Sequence, residues 1–294
     1  GTALPACPNT SGATWPTFTA PRNPTEVIAV SCGWSDDNTA VQRVVQHLRG
    51  SASTAGNAST PLVSKSTTDL LTGGASIFNF FNDLTIWSGG PTLGQSATGK
   101  TFIRDTFNGT PSDDFRVDPN SSPACNNPAP GYTCSTQGST IGHDVVTGDT
   151  SLSSASPAEY FERFFGKAPA DYQATVPTMT VAPGDVGTLD GARNEVIWVT
   201  GDATLSGTIG TADKPVIVIV DGALSLSANT IINGLVFSMG AFTSTGTPTI
   251  YGSLITASTA SATGNLKIVY DPNAIGKVAK IGRAAKVPGS FRDW

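Results

Sequence analysis

Charge is what this chain has least of. Of its 294 residues only 13% are Asp, Glu, Lys or Arg, about half the usual share of a soluble domain. The 17 basic residues stand against 22 acidic ones, for a net charge of −5. Hydrophobic residues reach 38%, so the chain is not of the disordered class, which combines high net charge with few aliphatics. The scarcity of Glu, Lys and Arg also excludes helical bundles and coiled coils. An acidic balance argues against a surface that meets nucleic acid all round.

Long apolar runs are missing as well. The longest, Val216-Ile217-Val218-Ile219-Val220, falls far short of the ~20 residues that span a bilayer. No basic stretch followed by an apolar one opens the sequence, so no signal peptide is expected within it. Histidine is limited to His47 and His143, and there is neither a C-x-x-C pair nor a Gly-x-Ser-x-Gly elbow. Gly94 to Thr101 match the spacing of a phosphate-binding loop. They lack a buried strand before them and an amphipathic helix after them, so nucleotide binding is not expected. Asp105, Asn108, Asp113, Asp114 and Asp118 offer oxygen ligands at short spacing, but not the twelve-residue loop of an EF-hand. They read as solvated turns. Neither a metal nor a cofactor is expected.

What the chain does have is 32 glycines, 20 prolines and four cysteines. Cys7, Cys32, Cys125 and Cys134 allow three connectivities, of which the sequential one closes the shortest loops. Pairs Cys7–Cys32 and Cys125–Cys134 are therefore predicted, each stabilising by ~2–4 kcal/mol through the unfolded state. Disulfides imply an oxidising compartment, the periplasm or the exterior.

Residues 1–175 read as a mixed α/β region with many loops. A strand is predicted over Glu26–Ser31. A helix is predicted over 37–49, because Val41, Val44, Val45 and Leu48 fall on one helical face behind Asp36 or Asp37. His47 lies beside that face. Phe78, Phe80, Phe81 and Trp87 read as buried core. The clearest start signal is Ser156-Pro157-Ala158-Glu159, a capping box with Pro at the first helical position. That helix carries Tyr160, Phe161, Phe164 and Phe165 and ends at Gly166, suited to a left-handed C-terminal residue.

From 176 to 271 helical spacing vanishes and a repeat emerges. Ile197, Val216, Leu235 and Leu254 recur every 19 residues, as do Asp202 with Asp221 and Leu205 with Leu224. Ile231, Ile250 and Val269 keep the same step. The fold class expected is mainly β: a short parallel β-helix of ~19-residue coils, preceded by the mixed region and followed by a tail over 272–294. A β-sandwich is the competing reading, but sandwiches do not need a fixed register. The tail is basic. Lys277, Lys280, Arg283 and Lys286 stand three apart and, with Arg292, form a candidate anion- or partner-binding set.

Catalysis in a β-helix groove needs several ionisable groups from neighbouring coils. Only Asp202 and Asp221 share the 19-residue register, each beside a glycine as in ordinary turns. From Gly222 to Asn265 there is no charged residue. No catalytic residue is predicted, and the chain reads as a non-enzyme.

The ending Val287-Pro-Gly-Ser-Phe-Arg-Asp-Trp294, preceded by Asn265–Asp271 and by Thr249-Ile-Tyr-Gly-Ser-Leu-Ile255, resembles the C-terminal part of PilX-type pilus-assembly proteins, which are minor pilins of type IV pili. The resemblance covers roughly residues 195–294, and residues 1–175 match no family. It implies a non-enzymatic ectodomain at the cell surface, with other minor pilins and pilus subunits as partners. Adhesion to surface glycans, motility and DNA uptake follow as family roles. Pilins begin with a long apolar helix that this sequence lacks, so membrane contact is expected only through an anchor helix outside it. A secreted β-helix that binds or degrades polysaccharide is the alternative.

Overall fold

The structure is a computed structural model that describes residues 7, 26–35, 37, 40–50, 58–70, 74–80, 84–92, 99–104, 116–118, 123–137, 140–281, 284–286 and 292–293. The chain forms two compact units. One comprises residues 1–52 with 282–294, the other residues 53–281.

The first unit is an antiparallel sheet. Glu26–Trp34 pairs with Val41–Gly50 from Glu26↔Arg49 to Trp34↔Val41. Ala284–Lys286 and Arg292–Asp293 add to the second strand, and Cys7 is bonded to Cys32. The helix predicted over 37–49 is therefore a strand. Val41, Val44, Val45 and Leu48 fit the helical period, but β-branched residues favour the pleated conformation once a partner strand is present, and on the strand they divide between its two faces. Val30↔Val45 and Val27↔Leu48 show that the partner is the run Glu26–Ser31.

The second unit is a parallel β-helix, as the repeat predicts. Its inward column runs Met179, Ile197, Val218, Val236, Leu254, Leu62, Ile86 and Val145, each residue paired in parallel with the next. The order is not that of the chain. Residues 62–88 stack on the coil that ends the 179–269 series, so the expected boundary at 175 cuts through a single stack. The separate tail from 272 likewise gives way, because its helix belongs to this unit and its strands to the other.

The pitch also differs from 19. Residues 218, 236 and 254 are in register, as are 224, 242 and 260, a step of 18. Earlier, Ile197 meets Val218 and Ala203 meets Leu224. A one-residue error moves a side chain to the opposite face of a strand. Leu235 accordingly points away from the inner column and pairs with Ile217 and Ser253.

Glycine makes the close stacking feasible at two places. Gly234 and Gly252 have φ of 137° and 144°, and a Cβ on them would lie 1.8 Å from Val216 O and 1.9 Å from Gly234 O. A corner column, Gly222–Gly240 and Ser258–Ser66–Gly90–Gly148, is joined by N–H···O bonds such as Gly240 to Gly222 at 2.7 Å and Ser66 to Ser258 at 3.1 Å.

A broad sheet of thirteen strands and a narrow one of five line the coils. Helices cover the outside of the broad sheet. They are α1 (Thr150–Ser153), α2 (Pro157–Phe165), α3 (Pro169–Thr175) and α4 (Pro272–Val278). The capping box of α2 forms, with Ser156 Oγ accepting from Glu159 N and Glu159 accepting from Ser156 N at 2.8 Å. Gly166 closes the helix at φ 70°. Phe161 packs edge-on to Trp198 at 5.9 Å and to Phe237 at 5.1 Å. Asp149, the N-cap of α1, also accepts from Trp87 Nε1 at 2.7 Å, tying the helical layer to a coil. Both Ser151 and Trp87 hold its carboxyl below the ordinary value.

Candidate functional site: an uncovered hydroxyl ladder

The narrow sheet comprises Ala203–Leu205, Leu224–Leu226, Phe242–Ser244, Ala260–Ala262 and Thr68–Asp69, all parallel. Alternation does the sorting. Leu205, Leu224, Leu226, Phe242 and Ala260 point inward and are buried. Their neighbours Thr204, Ser225, Thr243, Ser261 and Asp69 point outward and form one row in register. The hydroxyls of Thr204, Ser225 and Thr243 have no hydrogen-bond partner among the described residues.

Two flanking rows widen the face. On one side stand Asp202, Ala223, Ala241, Thr259 and Thr67, on the other Ser206, Ser227, Thr245 and Thr263, all exposed or half-buried. Strands lie ~4.8 Å apart and outward residues of one strand ~7 Å apart, so small hydroxyl and methyl groups repeat at regular spacing on a stiff support. A shallow hollow of about 230 Å³ runs among Asp202, Thr204, Ser225 and Thr243. Only Asp202 and Asp69 bring charge to these rows.

The residues singled out from the sequence go elsewhere. Asp202 and Asp221 are not in register, because the step that pairs Ala203 with Leu224 is longer than 19. Asp202 Oδ1 instead accepts from Ala223 N at 2.7 Å, a backbone-closing role. Cys125 is bonded to Cys134, as predicted. Lys277 lies on α4, with Nζ 3.1 Å from Ala212 O and 3.4 Å from Asp213 Oδ1. Lys280 is exposed just beyond that helix. Lys286 and Arg292 belong to the other unit, as strand residues pairing with Leu48 and Val45. Arg283 lies outside the described residues. The helix that carries Lys277 ends at Val278, so the described cations of the set are not gathered on one element.

Asp105, Asn108, Asp113 and Asp114 also lie outside the described residues, as do Gly94 to Ala97. His143 is exposed or nearly so beside Asp144, whose Oδ1 accepts from Ser135 at 2.7 Å. Among the described residues no three His, Cys, Asp or Glu side chains come together as a metal site, and no helix is long and apolar enough to cross a membrane.

The ladder itself was not singled out from the sequence. Its signal is a small polar residue between two inward-facing ones, Ala-Thr-Leu, Leu-Ser-Leu, Phe-Thr-Ser and Ala-Ser-Ala, repeated once per coil with only Ser244 breaking the apolar flanks.

No protein-family model matches the chain, and no curated protein matches it. Among solved structures, an ice binding protein from an Antarctic bacterium, Flavobacteriaceae, is similar over 71% of this chain and 45% of that one, at 15% identity and a TM-score of 0.33. This chain thus spans less than half the length of that protein. Likeness at this level bears no weight, and the β-helix stands on its own strand pairing.

Proposed function

We propose that the chain is a non-enzymatic, extracellular recognition module that lays its narrow sheet on an ordered, uncharged, repeating surface, a crystalline glycan or crystalline water. The observation that supports this is the three-row ladder around Thr204, Ser225 and Thr243, in register, nearly free of charge and left uncovered by the described helices. A rigid array gains by repetition: each hydroxyl contributes little alone, but no side chain or loop must be ordered on binding. Such a face suits a lattice and ill suits a single small molecule.

The test is a sedimentation assay on microcrystalline cellulose and chitin, with ice-crystal growth observed in parallel. Binding to one solid, lost in Thr243→Tyr and Ser225→Tyr at unchanged melting temperature, supports the reading. Wild-type protein that leaves all three surfaces untouched overturns it. Release of soluble sugars from either glycan would contradict the non-enzymatic part.

The cellular setting is a finer reading. The two disulfides belong to an oxidising compartment, and the ending Val287–Trp294 supports the ectodomain of a type IV pilus minor pilin. Deletion of the gene should then reduce surface pili, counted by electron microscopy. Unchanged pili would leave a free secreted module.

A further inference from the structure

A cavity of about 520 Å³ lies on the β-helix unit away from the ladder, within the size range of small-ligand sites. One wall is the segment Arg116–Asp118. It is pinned to the coils from several sides. Arg116 Nη2 donates to Asn233 Oδ1 at 2.7 Å and to Asp271 Oδ2 at 3.3 Å, while its guanidinium stacks 4.4 Å over the Tyr251 ring. The Tyr251 hydroxyl donates to Val117 O at 2.7 Å, and the buried Lys267 donates to Asp118 O at 3.3 Å. Burial lowers the Lys267 pKa, and the Asp118 charge opposes that shift.

The opposite wall is the loop closed by Cys125–Cys134, which contributes Asn127, Pro128, Pro130 and Tyr132. Tyr132 is itself fixed edge-on against Phe78 at 5.2 Å. Both walls are thus held before any ligand arrives, which reduces the ordering cost of binding.

The chemistry of the lining narrows the ligand. Arg116 is paired with Asp271, and Lys267 stands near Asp118, so the charges around the lining balance and neither an anion such as phosphate nor a cation is favoured. The exposed Asp118 carboxylate accepts, and the Asn127 amide both donates and accepts. Hydroxyl groups, each donor and acceptor at once, match this mixture. The prolines and the tyrosine edge supply an apolar wall for the C–H face of a sugar ring.

We infer that this cavity binds a neutral pyranose, as a monosaccharide or a short soluble oligosaccharide, independently of the ladder sheet. Sugar titrations followed by amide chemical shifts test it, using glucose, galactose, mannose, N-acetylglucosamine, cellobiose and diacetylchitobiose. One of these should saturate with a dissociation constant on the order of millimolar. Asn127→Ala and Asp118→Ala should each weaken it about tenfold, the loss of a good hydrogen bond. The exposed Asn127 leaves the melting temperature unchanged, whereas Asp118→Ala lowers it slightly because the buried Lys267 loses an opposing charge. Thr243→Tyr should leave it intact. No saturable shift with any of the six sugars overturns the inference. So does a sugar whose affinity survives both cavity variants or is lost in Thr243→Tyr.

Discussion

On the outside of the broad sheet the paired residues read Trp198, Ile219, Phe237 and Ile255; on the outside of the narrow sheet, along the same coils, they read Thr204, Ser225, Thr243 and Ser261. The inward rows of both are closed to solvent and mostly apolar, with Ser238, Thr256, Ser64 and Ser88 on the broad side and Ser244 and Thr68 on the narrow one. Backbone pairing is alike on the two sides, so the difference lies in the outward side chains alone. Large outward residues recruit a helical layer, which gains roughly 1.5–3 kcal/mol for each large apolar side chain taken from water. Among the described residues, no helix packs on the small hydroxylated ones. The same scaffold therefore has one face that packs helices and one that, under the proposed function, meets an external surface.

The largest blow to this arrangement should come from the strand that crosses the middle of the broad sheet. Gly234→Val places a side chain where even a Cβ would meet Val216 O, at a backbone angle that L-residues avoid. The expected loss exceeds about 4 kcal/mol, read as absence of a folded circular-dichroism spectrum and of a cooperative melt. Next comes Phe237→Ala, which empties the contact with Phe161 and Phe165. About 3–5 kcal/mol should disappear in urea unfolding. The helix layer can be loosened more gently with Ser156→Ala, expected to cost about 1 kcal/mol by removing the N-cap of α2.

A pH experiment examines the same cap. Hydrogen bonds from the Ser156 backbone and side chain hold the Glu159 carboxyl below its ordinary value of 4.5. With the folded value the lower one, the contribution is complete above pH 4.5 and disappears as pH falls through the folded value. The melting temperatures of wild type and Glu159→Ala should therefore differ at pH 6 and converge in stronger acid. The smallest effect belongs to the other side. Thr243→Ala, on the coil that also carries Phe237, should change stability by less than about 0.5 kcal/mol. A loss comparable to that of Phe237→Ala would show that the narrow sheet is also a packing face.

The periodic apolar runs were enough to identify stacked coils, because a parallel β-helix must present like residues at each step. They were not enough to set the step. Val196 to Val199 and Val216 to Val220 are apolar at every position, since both faces of the broad sheet are covered. Such runs tolerate a slip of one residue without visible penalty in the pattern. The narrow sheet alternates and would have fixed the register: Leu224 pairs with Phe242 and Phe242 with Ala260. The hairpin at 26–50 escaped for a different reason: Val41, Val44, Val45 and Leu48 match the helical period, and only the partner strand Glu26–Trp34 selects the extended form.

Local chemistry was decided by the amino-acid order alone. Ser156, Pro157, Glu159 and Gly166 start and stop a helix through contacts within a single turn, and both cysteine pairs close short loops. What only the tertiary structure decided is the order of stacking. Leu62 lies against Leu254, though about two thirds of the chain separates them. Unpaired strand edges and apolar columns attract any matching coil, wherever it stands in sequence, so pairing choice is a property of the assembled stack. The same assembly decides which wall the described helices cover, and hence which outward residues they leave exposed.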